Sequence, residues 1–158
     1  MEPFPIVTIP AKSLREPSRD LSMEEVLTPE FQSYLDRLIF TMQSSNGVGI
    51  ASVQVGKNIR AIVVDMPDGP TCYINPEIVK ASEATKESEE GCLSVPNTYG
   101  IVVRHKKITV RAFTRHGRRV EFEVKHFPAI VFQHEIDHTN GILFIDKAVR
   151  LQKTGKDI

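Results

Sequence analysis

Apolar residues at Phe31, Leu35, Leu38, Ile39 and Met42 recur every three or four positions, which predicts an amphipathic helix. Thr28-Pro29-Glu30 starts it, with Thr as N-cap and Pro at the first helical position, and "SSNG" ends it. Farther on the period changes. "KKITVRAF" and "RRVEFEV" alternate apolar and polar residues on either side of "TRHG", the pattern of an antiparallel hairpin in which Ile108, Val110 and Ala112 face Val120, Phe122 and Val124. "IRAIVVD" is apolar without alternation and reads as a buried strand, "PDGP" as a turn and "TCYINPEIVK" as one or two further strands. "AIVFQHEIDH" is apolar through its first turns, so a buried helix should run from Pro128 to about Asn140, with Gly141 ending it in a left-handed conformation.

The remaining segments are polar. "ASEATKESEE" is expected to be exposed, and the first 27 residues, with Pro3, Pro5, Pro10 and Pro17 among charges, to wrap the body as an extended segment. Neither repeats nor low-complexity stretches occur. Strands in series with only two sizeable helices predict an α+β fold, antiparallel or mixed β-sheets packed around a central buried helix, in a single domain over 1–158.

Composition narrows the function. Twenty basic residues balance twenty acidic ones, leaving no overall charge to hold a nucleic-acid backbone or an anionic membrane. No window reaches the roughly 18 apolar residues of a spanning helix, and "MEPFPIVTIP" lacks the features of a signal peptide. The two cysteines, Cys72 and Cys92, are too few for a disulfide scaffold. A cytoplasmic protein with a small near-neutral substrate is the natural reading.

The chemistry lies in "FQHEIDHTNGILF". On a helix, His134 and His138 stand one turn apart on one face, so both ring nitrogens can reach one ion, and Glu135 can take a proton from water activated there without being a ligand. Three protein ligands and an open position make a hydrolytic site. A metzincin-type third histidine would fall on Phe144, and no glutamate follows Glu135, so the third ligand lies upstream. The candidates are His105, His116, His126, Cys72, Cys92 and several carboxylates. Cys72 sits in an apolar strand, where a buried thiol is ordinary. Cys92 sits in "EEGCLSVP", where Gly91 permits close backbone approach. A zinc peptidase on the same helix, or a closed structural site completed by His126 or a carboxylate, are the rival readings. Upstream, "GVGIASVQVG" has Gly47 and Gly49, which let backbone approach a ligand, and Gln54, whose amide can donate to a developing oxyanion.

Taken together, the glycine motif ending in Gln54, Glu90-Gly91-Cys92-Leu93-Ser94, and Gln133-His134-Glu135-Ile136-Asp137-His138 resemble the peptide deformylases, and "LREPS" and "ITVRAFTRHGRRVEFEV" extend the likeness over nearly the whole chain. The resemblance implies removal of the N-formyl group from the initiator methionine of new polypeptides. It implies Cys92, His134 and His138 as metal ligands, Glu135 as general acid/base, and Gln54 with the backbone N–H of Leu93 as the oxyanion donors. The implied cofactor is one divalent ion, Fe(II) in the first place, with Zn, Ni or Co able to replace it. A thiolate ligand leaves such an ion softer and, with iron, open to oxidation.

Ile130 and Val131, one turn before His134, and Phe127 a further turn back can line a slot for the methionine side chain, with Val48 and Gly49 opposite and Glu90 also against the substrate. Formyl-Met nascent peptides are then the partners, with transient ribosome contact, a monomeric state, no direct nucleic-acid binding and no membrane. The chain departs from the family pattern at Ser52, Thr139 and Tyr99. After Ile145, "DKAVRLQKTGKDI" leaves the C-terminal helix of some members short or missing.

Overall fold

The computed structural model describes residues 1–153. The α-helices among the described residues are α1 (Met23–Val26), α2 (Pro29–Ser44), α3 (His126–Thr139), which carries the two motif histidines, and α4 (Phe144–Lys147). The strands are β1 (Gly49–Ala51), β2 (Ala61–Met66), β3 (Gly69–Ala81), β4 (Thr85–Cys92), β5 (Val95–His105), β6 (Lys107–Phe113), β7 (Arg119–Lys125) and β8 (Arg150–Lys153). They form a five-stranded sheet in the order β1-β2-β3-β6-β7 and a three-stranded sheet in the order β4-β5-β8. Every named strand pair is antiparallel; the single parallel contact is the isolated bridge between Arg19 and Ile59.

The helix at Pro29 forms as its pattern predicts: Thr28 Oγ1 accepts from the Phe31 N–H at 3.2 Å, and Leu35, Leu38 and Met42 are buried. It packs on one face of the larger sheet while α3 packs on the other. β2 therefore has two buried faces, with Ile62 and Val64 in the core around α3 and Ala61 and Val63 in the core under α2. That is why "AIVV" shows no alternation. The hairpin has the predicted register, Ile108 opposite Val124, Val110 opposite Phe122 and Ala112 opposite Val120. "TCYINPEIVK" belongs to one 13-residue strand, β3, bent by register shifts after Ile74 and after Ile78.

Two expectations are corrected. "ASEATKESEE" is not simply exposed, because most of it is β4, whose inward positions Ser88 and Glu90 are buried while Glu87 and Glu89 remain exposed. Polar residues on both faces hide a strand's period from the sequence. Helix α3 begins at His126, two residues before Pro128, which occupies the first turn where its missing N–H is harmless.

The N-terminal segment wraps the body as predicted, with Val7 N–H bonded to Gln54 O at 2.7 Å, Ile9 N–H to Ser94 O at 2.9 Å and Ser18 N–H to Thr139 O at 2.8 Å, although it contains short helical turns at Lys12–Arg15 and Met23–Val26. Gly141, at φ 75°, ends α3 in the left-handed conformation. After α4 the chain forms β8 against β5, and residues 154–158 lie outside the described part. Among the described residues no helix is long and apolar enough to cross a membrane.

Candidate active site and metal centre

Helix α3 touches strands of both sheets and brings His134 and His138 beside the end of β4. Their rings lie 5.1 Å apart, centroid to centroid. Cys92 is the last residue of β4, where the pairing with β5 shifts register and the chain turns tightly. Its Sγ lies 3.3 Å from His138 Nε2. One ligand atom each from Cys92, His134 and His138 fall within 4.8 Å of one another, close enough for a single ion to bridge all three.

Of the other candidates, Cys72 is buried in the apolar cluster under α2, across the larger sheet from the α3 side, where burial pushes its thiol up to about 11. His105 Nδ1 is occupied by the Ser82 carbonyl at 2.7 Å. Neither it nor His116 or His126 joins the cluster.

Charged groups surround the three side chains. His134 Nδ1 donates to Glu90 Oε1 at 2.9 Å, which fixes the ring and turns Nε2 toward Cys92 and His138. Burial works against charge on His134, but hydrogen bonds to Cys92 and Glu90 and the charges of Glu135 and Cys92 outweigh it and hold its pKa up to about 10. Burial, the charge on His134 and Arg104 keep His138 neutral, well below the usual imidazole range, and a neutral ring is the form that binds metal.

The Glu90 carboxylate is engaged within the protein while the residue lines the cavity. Arg104, 2% exposed on β5, donates from Nε to Oε2 at 2.8 Å and from Nη2 to Oε1 at 2.7 Å. Burial would raise Glu90, yet the bonds from Arg104 and His134 lower it to about 2. The same guanidinium donates from Nη1 to Asp137 Oδ2 at 2.7 Å, and Lys147 adds a contact to Asp137 at 3.1 Å. Arg104 thus ties β4 to α3 around His134. The sequence contained a sign of it, since Arg104 is in phase with the buried Val102 and an inward arginine needs carboxylate partners.

Glu135 is almost wholly buried beside the ligands, and its Oε1 has no hydrogen-bond partner in the protein. Burial raises it to about 7 despite the opposing charge of His134. It packs against Gly49, where a Cβ would lie 2.7 Å from Glu135 Oε2 and 2.8 Å from Val131 Cγ1. Gln54, on the 3-10 turn Ser52–Val55, is buried. The Ala51 N–H donates to its Oε1 at 2.9 Å, and its Nε2 donates to Ser94 Oγ at 3.2 Å with Cys92 Sγ at 3.6 Å.

The unusual Ser52 is fully buried and accepts from Tyr34 Oη at 2.9 Å, which fastens this turn to α2. Thr139 Oγ1 donates to the Ile136 carbonyl and accepts from Arg60, so its polarity is satisfied as well. Ser94 and Tyr34 had no role in the sequence reading; both act through Gln54's turn, a proximity only the fold creates.

A cavity of about 470 Å³ opens beside Cys92. Val48, Gly49, Gln54, Glu90, Leu93, Ile130, Val131, His134 and Glu135 all line it. Ile130 and Val131 form buried apolar wall, whereas Phe127 is 57% exposed and stands at the mouth. Tyr99 lines it from β5, its ring over Gly91.

Residues 3–154 match the model of the polypeptide deformylase family. The chain is 42% identical over 154 residues to the peptide deformylase of Desulforudis audaxviator, covering 97% of this chain and 98% of that one. It is 41% identical over 156 residues to that of Carboxydothermus hydrogenoformans, covering 99% and 100%. In three dimensions it superposes on the crystal structure of peptide deformylase from Thermotoga maritima with a TM-score of 0.89 at 36% identity, over 95% of this chain and all of that one. A Met-Ala-Ser-bound class I type b peptide deformylase from Acinetobacter baumannii gives 0.88 at 34%, over 92% and 98%. An α+β frame that sets a cysteine and two histidines around a buried glutamate, shared over nearly its full length with these proteins, places this chain in the polypeptide deformylase family.

Proposed function

We infer that Cys92, His134 and His138 hold the metal ion with which this deformylase removes the N-formyl group from the methionine of newly made polypeptides. The observation that carries the assignment is the convergence of one thiolate and two imidazoles within 4.8 Å beside the unpartnered carboxylate oxygen of Glu135. Bound there, a divalent ion supplies Lewis acidity toward water and the formyl oxygen. The soft thiolate in the donor set favours Fe(II) as the native ion, with Zn, Ni or Co as replacements.

The protein's own groups do the rest. Ile130 and Val131 receive the methionine side chain and exclude water, a reading supported by the A. baumannii relative with Met-Ala-Ser bound. Glu135 takes a proton from the attacking water and delivers it to the departing amine; a carboxyl lifted to about 7 by burial is suited to both transfers near neutral pH. Negative charge gathering on the formyl oxygen is met by the Leu93 N–H and by Gln54 Nε2, which turns its long contact with Cys92 Sγ to the oxygen while Ser94 and Ala51 hold the side chain in place. Glu90 acts at one remove, through His134. The enzyme works as a cytoplasmic single-domain monomer on nascent chains, with transient ribosome contact.

Hydrolysis of a formyl-Met dipeptide by anaerobically prepared, iron-loaded protein tests this. Turnover should disappear in Glu135→Ala while bound metal is retained. A Cys92→Ser protein that keeps its metal affinity would instead favour a peptidase-like site without the thiolate.

A further inference from the structure

The two donors that meet the formyl oxygen come from different sheets. Gln54 lies on the turn Ser52–Val55 that follows β1 of the five-stranded sheet, and Leu93 follows Cys92, the last residue of β4 in the three-stranded sheet. Among the described residues no strand pairing joins the two sheets, so other contacts have to set the spacing between the donors. One is the side-chain bond from Gln54 Nε2 to Ser94 Oγ at 3.2 Å. The others run through the backbone of the N-terminal segment.

The Val7 N–H donates to the Gln54 carbonyl at 2.7 Å, and the Ile9 N–H donates to the carbonyl of Ser94, next to Leu93, at 2.9 Å. The Ser52 and Val53 carbonyls of the same turn already accept from Lys57 and Gly56. Val7 therefore supplies the partner that the Gln54 carbonyl needs inside the fold. Residues two apart on an extended segment send their N–H groups to the same side about 7 Å apart, which suits one segment to bridging two carbonyls. The bridge is anchored at both ends. The Phe4 N–H donates to Thr41 Oγ1 of α2 at 2.9 Å, and the Phe4 ring packs on Tyr34 with centroids 5.4 Å apart. Beyond Ile9, Leu14 is fully buried in the core around α3.

We propose that Val7 and Ile9 are positioning residues for the reaction, whose N–H groups hold the Gln54 amide and the Leu93 N–H at the separation that one formyl oxygen requires. The inference rests on the oxyanion roles that the deformylase reading gives to Gln54 and Leu93. Residues 7–9 are then part of the catalytic apparatus and not only a wrapping of the body. Loss of either bond frees one donor to drift, and a misplacement of about 1 Å costs up to about 100-fold in rate. The cost falls on kcat, because the donors act on charge that develops only in the transition state, whereas the methionine wall at Ile130 and Val131 is untouched.

The test uses full-length, metal-loaded protein and formyl-Met-Ala-Ser. Val7→Pro deletes the donor to Gln54. It should lower kcat by about tenfold to 100-fold, with KM changed by less than about twofold and metal content unchanged. In a Gln54→Ala background the same substitution should change kcat by less than about twofold, because no amide remains to be placed. Should the proline unfold the protein, an ester in place of the Ile6–Val7 peptide bond removes the same N–H, keeps the side chain, and carries the same expectations. An ester at Thr8–Ile9 should also lower kcat, by about tenfold, and that loss should persist without Gln54 because it acts through Leu93.

Unchanged kcat, an equal loss from Val7→Pro with and without Gln54, or a loss confined to KM overturns the proposal. If the parent protein fails to hydrolyse the peptide, or Gln54→Ala works as well as the parent, the reading of the site fails and the role of Val7 and Ile9 fails with it. An active parent, an impaired Gln54→Ala and a normal Val7→Pro leave that reading standing and remove only the bridge.

Discussion

Phe144 stacks on His134, with ring centroids 6.2 Å apart and planes inclined by 21°. The position where a metzincin-type pattern would put a third histidine instead holds a buried aromatic wall that fixes the first one. Phe144→Ala should cost roughly 3–5 kcal/mol of stability in urea unfolding. Phe144→His should also destabilise, and, on the proposed ligand set of Cys92, His134 and His138, it should leave metal stoichiometry unchanged. Metal analysis of the purified variants decides this.

Removing Arg104 strands two carboxylates, Glu90 and Asp137, in or near the core. Arg104→Ala should therefore lower stability by roughly 3–5 kcal/mol. It should also weaken metal binding by about 10- to 100-fold, since His134 loses its fixed acceptor. Arg104→Lys keeps a charge without the planar fork and should fall between. Competition with a chelator, compared at equal folded fraction, separates the two effects.

Gly49 and Gly47 make a contrast within one loop. A Cβ at 49 would strike Glu135, whereas one at 47 would lie 3.4 Å or more from its nearest neighbours. Gly49→Ala should displace the proton carrier and lower kcat/KM by about 100-fold with the fold preserved by circular dichroism. Gly47→Ala should have a much smaller effect.

At alkaline pH the interior itself titrates. Burial lifts Tyr34 to about 12, only partly opposed by its bond to Ser52, and lifts Cys72 to about 11. Both folded values exceed the ordinary ones of 10.0 and 9.0, so the folded protein holds protons that the unfolded chain releases first. Their contribution to stability is intact below about pH 9 and is lost as pH rises to 11 and 12, by roughly 2–3 kcal/mol for each. Urea midpoints between pH 8 and 11.5 should fall accordingly, and Tyr34→Phe with Cys72→Ala should flatten that decline, apart from the about 1 kcal/mol that losing the hydroxyl bond costs at all pH values.

How much of this could be read in advance varied with the physics. The helix at Pro29 and the hairpin were legible to the register because a single buried face imposes its period on the sequence. The strand at Thr85 was not, because its inward residues are the polar Ser88 and Glu90, and Glu90 is buried only by meeting Arg104 and His134 of α3. The pairing of Glu90 with Arg104 escaped the sequence for the same reason. Its partner Arg104 is 14 residues away and on another strand, and a pairwise bond of that kind leaves no mark on either local pattern.

By itself the sequence determined the kind of chemistry. Two histidines and a glutamate on one buried helix, with Phe144 in place of a third histidine and no later glutamate, demanded an upstream ligand. Tertiary structure sets Cys92 beside the two histidines and Cys72 on the opposite side of the larger sheet. It also decided that Ser52, odd in the motif, is matched by Tyr34, and that Gln54 is buried and held. Local periodicity records which face of an element is dry, whereas a ligand set depends on side chains brought within a few ångströms by long-range packing.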